Sequence, residues 1–212
     1  MICVSIAEET LEKCLRALKG IDFAEIRIDK MAVGVEDVKK IFSQHPKLVA
    51  TCRPNTMDDK KRRELLLTAI AAGAAFVDIE VESSDEYKNV IVEKARSAGC
   101  QVIVSYHNFE KTPQRAELEH IINWCFDSGA DIAKIACRVN FEQDNARLLG
   151  LLNETRSLVV AGIGDKGKMS RIVAPLLGSP FTYASLIAGK ETAEGQIDKE
   201  SLKRIFQAIK DV

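Results

Sequence analysis

The sequence predicts an α/β fold, a closed (β/α)8 TIM barrel built as a single domain over residues 1–212. Three observations point there. Strand-like and helix-like runs alternate along the whole chain, which argues for a parallel sheet. There are eight of each in 212 residues, with no linker, low-complexity tract or repeat between them, and eight units argue for closure. The first strand leads into Ser5-Ile6-Ala7-Glu8, which lacks the glycine-rich turn that opens a doubly wound sheet.

The strand-like runs fall at residues 2–6, 23–28, 48–52, 76–81, 101–106, 131–135, 158–162 and 182–185. The helix-like runs fall at 10–18, 35–42, 58–72, 85–97, 113–126, 141–154, 170–177 and 199–209. The first strand is apolar around Ser5. The second and fourth alternate: Glu25, Arg27 and Asp29 interleave with Ala24, Ile26 and Ile28, and Asp78 and Glu80 with Val77, Ile79 and Val81. The third helix opens at Asp58, a good N-cap, and carries Leu65, Leu66, Ala69 and Ile70 at helical spacing. Thr112-Pro113 opens the fifth, which carries Leu118, Ile121, Ile122 and Cys125. Gly20, Gly73, Gly99 and Gly129 each stand between a helical run and a strand, where C-terminal caps belong.

Composition narrows the function. With 30 basic against 31 acidic residues the formal charge is −1, so neither nucleic acid nor an anionic membrane is an expected partner. The run Lys60-Lys61-Arg62-Arg63 reads as a solvated helix face. No apolar stretch reaches the length of a membrane span, and the N-terminal residues lack a basic, signal-like start. Six cysteines (Cys3, Cys14, Cys52, Cys100, Cys125 and Cys137) form no C-x-x-C pair, which suits reduced thiols in the cytoplasm.

The informative stretch is Asp131-Ile132-Ala133-Lys134-Ile135-Ala136-Cys137, a buried strand with a lysine in its middle. An ammonium is costly to desolvate. Lys134 is therefore either a strand residue whose tip reaches water or an amine nucleophile toward carbonyls, since desolvation lowers a lysine's pKa. In a barrel, catalytic groups gather at the carboxyl ends of the strands. The second strand brings Glu25, Arg27 and Asp29 there, and the third Arg53. The fourth brings Asp78 and Glu80, and the fifth Ser105-Tyr106-His107-Asn108. The sixth brings Lys134 with Arg138 beyond it, and the eighth Tyr183 and Ser185. Arg27, Glu25 and Asp78 are also readable as a purely structural ion-pair layer, and His107 as a core histidine. Together, a buried lysine, a histidine on the adjacent strand and several arginines suit Schiff-base formation with proton transfer beside a carbonyl. His45 and His120 read as surface or helix residues.

One candidate histidine is too few for a zinc site, and no metal is expected. The run Gly162-Ile163-Gly164-Asp165-Lys166-Gly167-Lys168-Met169-Ser170 approaches a phosphate-binding loop. It has Met169 where a magnesium-binding hydroxyl belongs, and reads as a flexible βα loop ahead of a helix.

These residues resemble the type I 3-dehydroquinate dehydratases of the shikimate pathway. The matching stretches are Glu25-Ile26-Arg27-Ile28-Asp29, Thr51-Cys52-Arg53, Ser105-Tyr106-His107-Asn108-Phe109-Glu110-Lys111-Thr112-Pro113, the lysine strand, Ser170-Arg171 and Gly195-Gln196. The resemblance implies a lyase that dehydrates 3-dehydroquinate to 3-dehydroshikimate without metal or organic cofactor. Lys134 matches the Schiff-base lysine and His107 the general acid/base. Arg171 matches the arginine that pairs with the substrate carboxylate, a task suited to a guanidinium fork. Thr192 and Gln196 match the loop that closes over the substrate, and Glu25, Arg27 and Arg53 the groups that hold its ring hydroxyls. A homodimer fits the resemblance.

Four positions depart from the family's pattern. Met57 stands where a glutamate orients the histidine, with Asp58 or Asp59 as nearby substitutes. Ala161 and Ile163 stand where methionines pack near the lysine. Glu194 replaces a proline in the closing loop. Two other readings share the residues: a Schiff-base aldolase of the same architecture, and a non-catalytic binder of a cyclic hydroxy-carboxylate.

Overall fold

The computed structural model describes residues 1–54, 57–153 and 155–211. The expected end of the sixth helix at Glu154, Asn55 and Thr56 of the loop after Arg53, and the last residue, Val212, lie outside the described residues. In chain order the elements begin β1 (Ile2–Ile6), α1 (Leu11–Ala17), β2 (Ala24–Arg27), α2 (Val35–Ser43), β3 (Leu48–Thr51) and α3 (Asp59–Ala71). They continue β4 (Phe76–Glu80), α4 (Asp85–Ala98), β5 (Gln101–Asn108), α5 (Arg115–Asp127), β6 (Ile132–Arg138) and α6 (Glu142–Leu149). The last are β7 (Leu158–Ile163), α7 (Lys168–Val173), β8 (Thr182–Ser185), β9 (Ile197–Asp198) and α8 (Lys199–Lys210). The expected alternation is therefore present, with one short extra strand, β9.

The chain packs as two compact units. One comprises Met1–Ser5, Ser105–Trp124 and Ile132–Val212, and the other Ile6–Val104 and Cys125–Asp131. In the first, β6 pairs parallel with β7, setting Lys134 opposite Val159 and Arg138 opposite Ile163. In the same unit β1 pairs parallel with β8, Cys3 opposite Tyr183 and Ser5 opposite Ser185, and β8 with β9. In the second unit β2, β3 and β4 pair parallel in that order, so Arg27, Thr51 and Asp78 share one row.

Helix starts follow the local chemistry. Thr10, Asp58, Ser84 and Asp198 cap α1, α3, α4 and α8, each side chain accepting from the backbone N–H three residues on. Gly99 ends α4 at φ +69°, in the left-handed region an L side chain resists, and Gly20, Gly73 and Gly129 have positive φ too. The apolar stripe of α3 (Leu65, Leu66, Ala69, Ile70) and that of α5 (Leu118, Ile121, Ile122, Cys125) are buried. Emptying one such leucine position to alanine costs about 2–5 kcal/mol. Among the described residues, no helix is long and apolar enough to cross a membrane.

Some boundaries differ from expectation. β2 stops at Arg27 because Ile28–Lys30 turns into a 3-10 helix, so Asp29 is delivered by a turn rather than by strand alternation. The sixth helix is α-helical only to Leu149, and Gly150–Asn153 continues as 3-10. The seventh begins two residues early, at Lys168, and Ala174–Leu176, which holds Pro175, tightens into 3-10.

Candidate active site

In the unit containing β6, Lys134 sits mid-strand with only 6% of its surface exposed. Its neighbours along the strand, Ala133 and Ile135, are fully buried. The ammonium lies 4.3 Å from the ring centroid of Tyr183 on β8, close enough for the ring face to attract it. Ala136, Ala161 and Ile163 form a small apolar cluster beside this strand, so two of the expected departures from the family's methionines are core residues.

His107 lies near the end of β5 and is half-buried. Its ring stacks on Phe109, centroids 6.1 Å apart and planes 13° from parallel. The turn behind it is fixed by Asn108, whose side-chain oxygen accepts from the Glu110 and Lys111 N–H groups.

Arg171 is 2% exposed on α7. Among the described residues its hydrogen bond goes to the Gly162 carbonyl at 3.1 Å, and no carboxylate meets it. Burial alone pulls its guanidinium down to about 10. A charge in that position calls for an anion, and the described residues place no carboxylate against it. The loop ahead of α7 is tightly built rather than loose. Gly162 and Gly167 face each other so closely that a Cβ on either would lie within 2.5 Å of the other, and Ser170 Oγ accepts from Gly162 N–H at 2.6 Å.

The last loop carries Thr192 and Gln196. Gln196 is buried, its side-chain oxygen accepting from Thr192 N–H at 2.8 Å, and Thr192 Oγ1 donates to Ser5 Oγ at 2.7 Å. Ser5 was not singled out from the sequence; a hydroxyl one residue from the end of an otherwise apolar strand was its signal.

The other unit holds the remaining candidates in a charge network. Arg27 binds Asp29 in a fork, Nε to Oδ1 at 2.9 Å and Nη2 to Oδ2 at 2.7 Å. Thr51 donates to Glu25 at 2.9 Å. Arg53 binds Asp78 at 2.9 Å and Glu80 at 2.7 Å. Burial opposes the Arg53 charge, but Asp78, Glu80 and Glu25 outweigh it and hold the guanidinium well above its ordinary value. Arg62 completes the network: Nη2 reaches Glu80 at 2.7 Å, Nε the Cys52 carbonyl at 2.9 Å, and Nη1 Asp59. At 1% exposed, Arg62 is not part of a solvated face, although Lys60 beside it is exposed. The basic run hid it, because i to i+3 spacing does not show which member turns inward. Met57 is contacted by the Cys52 thiol at 3.8 Å. Asp58 is spent on the α3 cap and Asp59 on Arg62.

Comparison with known proteins follows the same line. The family model described as type I 3-dehydroquinase matches residues 2–211. The 3-dehydroquinate dehydratase of Methanocaldococcus jannaschii is 33% identical, over 99% of this chain and 99% of its own length. That of Methanococcus maripaludis strain C5 is 36% identical, over 99% and 100%. Among solved structures, a type I 3-dehydroquinate dehydratase from Clostridium difficile superposes with TM-score 0.87 at 24% identity, covering 100% of this chain and 92% of that one. The 3-dehydroquinate dehydratase of Aquifex aeolicus gives 0.83 at 28% identity, covering 100% of both. These likenesses assign the expected (β/α)8 class. On the family model and on relatives more than 30% identical along nearly their whole length, the chain belongs to the type I 3-dehydroquinase family.

Proposed function

We propose that this chain dehydrates 3-dehydroquinate to 3-dehydroshikimate through an imine on Lys134, with His107 moving the protons. The observation that carries the reading is the pair of buried cations in one unit: Lys134, 6% exposed within an apolar strand, and Arg171, 2% exposed with no carboxylate partner among the described residues. A substrate bearing both a ketone and a carboxylate answers both.

The Lys134 amine adds to the C3 ketone and water leaves, giving an iminium. His107 takes a proton from C2, and the electron pair flows into the iminium to form an enamine. The enamine expels the C1 hydroxyl, which departs as water with the proton that His107 returns. Hydrolysis of the conjugated imine releases the product and restores the amine. Arg171 binds the carboxylate, which offsets the cost of its burial. Thr192 and Gln196 close over the substrate, and Glu25, Arg27 and Arg53 hold the ring hydroxyls, as in the family. No metal or organic cofactor enters this scheme. The protein acts as one domain over residues 1–212, in the cytoplasm, as a homodimer.

Borohydride trapping with 3-dehydroquinate tests the reading. Intact mass and peptide mapping should show one reduced adduct, on Lys134, absent from Lys134→Ala. A folded protein that binds the ligand and forms enone product without any trapped adduct would exclude the imine. Binding with neither adduct nor product would leave a non-catalytic binder.

A further inference from the structure

We propose that Arg138 is a positioning residue, which through Glu194 holds the closing loop in the register that the substrate grip needs. The proposal rests on the reading above, in which Thr192 and Gln196 close on the substrate.

Arg138 ends β6, four residues past Lys134. Its guanidinium meets three separate backbone segments. Nε donates to the Phe109 carbonyl at 3.3 Å, in the turn just past His107. Nη1 lies 2.8 Å from Glu194 Oε1 in the closing loop. It also lies over Gly164 at the end of β7, where an added Cβ would stand 2.8 Å from Nη1. The guanidinium therefore occupies the space that the missing side chain leaves.

The loop side of this bracket is closely packed. Gly164 N–H donates to the Glu194 carbonyl at 3.1 Å. Gly195 follows at φ +80°, pressed so close that a Cβ would lie 2.2 Å from the Gly164 oxygen. Gln196 comes next, and its side chain is already bound to Thr192. A shift at Glu194 must therefore pass to Gln196, because the intervening residue has no free space.

The family resemblance puts a proline at position 194. A proline restrains its φ covalently. Glu194 has no such restraint, and its ion pair with Arg138 supplies one by charge instead. The two side chains are 30% and 59% exposed, so the pair contributes little to global stability and weakens in salt. A restraint of that size acts on local opening rather than on global unfolding.

The test is a double-mutant cycle of R138Q, E194Q and the double variant, with kinetics on 3-dehydroquinate, thermal melting, and hydrogen exchange across residues 188–197. E194Q should raise KM about threefold, the size expected for loss of an exposed ion pair. Its Tm should be unchanged and exchange in the loop faster. The double variant should be no worse than R138Q, showing that both act through one contact. High salt should raise the wild-type KM toward that of E194Q. An active wild type whose KM and loop exchange are the same in E194Q would overturn the proposal, as would strictly additive single effects. An inactive wild type would instead remove the functional reading. The exchange arm then decides the bracket alone: faster loop exchange in E194Q supports it, and unchanged exchange refutes it.

Discussion

Arg171 Nε donates to the Gly162 carbonyl oxygen at 3.1 Å, with no carboxylate partner among the described residues, and burial has pulled the pKa of this guanidinium to about 10. Relative to an ordinary guanidinium, that shift corresponds to a cost on the order of 3 kcal/mol at neutral pH. The sign is that of a base with a depressed folded pKa: the penalty is present below about 10 and relieved as pH rises from there toward the ordinary guanidinium value. Stability has been given up at this position, and a bound carboxylate would recover it.

Arg171→Met should therefore melt higher than the wild type, by roughly 2–8 °C for about 1–2 kcal/mol in a chain of this size. It should also lose affinity for 3-dehydroquinate by at least a hundredfold. Thermal melts with and without substrate check both. A variant that melts lower and keeps its KM would show that the arginine is structural.

His107→Ala should separate imine formation from proton transfer. Lys134 remains, so borohydride should still trap an adduct, while turnover falls by about 10²–10⁴. Single-turnover mass spectrometry follows the adduct. Turnover within a few-fold of wild type would mean that another group moves the proton.

All six cysteines are buried, and burial pushes Cys14, Cys52, Cys100, Cys125 and Cys137 up to about 12. Thiols held neutral in the fold but ionised near 9.0 once unfolded contribute stability that is complete below 9.0 and lost as pH rises toward 12. Five such groups give a slope of up to roughly 7 kcal/mol per pH unit at its steepest. Urea midpoints should be flat up to pH 9.0 and then collapse before pH 12. A thiol reagent at neutral pH should label the native protein only at the rate of global opening. Rapid labelling of one cysteine would place it at a locally open site.

Arg62→Met should destabilise by about 3–5 kcal/mol, because it removes one partner from a buried ion-pair network. Lys at this position restores the charge but not the fork to Glu80 and Cys52, and should recover less than half. Denaturant unfolding of the three proteins measures this. A loss under 1 kcal/mol for the methionine variant would mean that Arg53 alone satisfies Glu80.

The sequence alone determined the order of elements, because hydrophobic period, cap residues and glycine stops are local properties written at fixed spacing. It also singled out Lys134, since a lysine inside an apolar strand contradicts its neighbours, and it matched Arg171 to a known role. It placed Gly162 and Gly164 in a loop but not their purpose, because the backbone they admit comes from residues far along the chain. Arg62 among four basic neighbours, Ser5 beneath Thr192, and Arg138 against Glu194 were decided only by tertiary structure. Each depends on a partner 18 to 187 positions away. A charge's environment is set by what packs around it, and at that separation sequence spacing carries no information about packing.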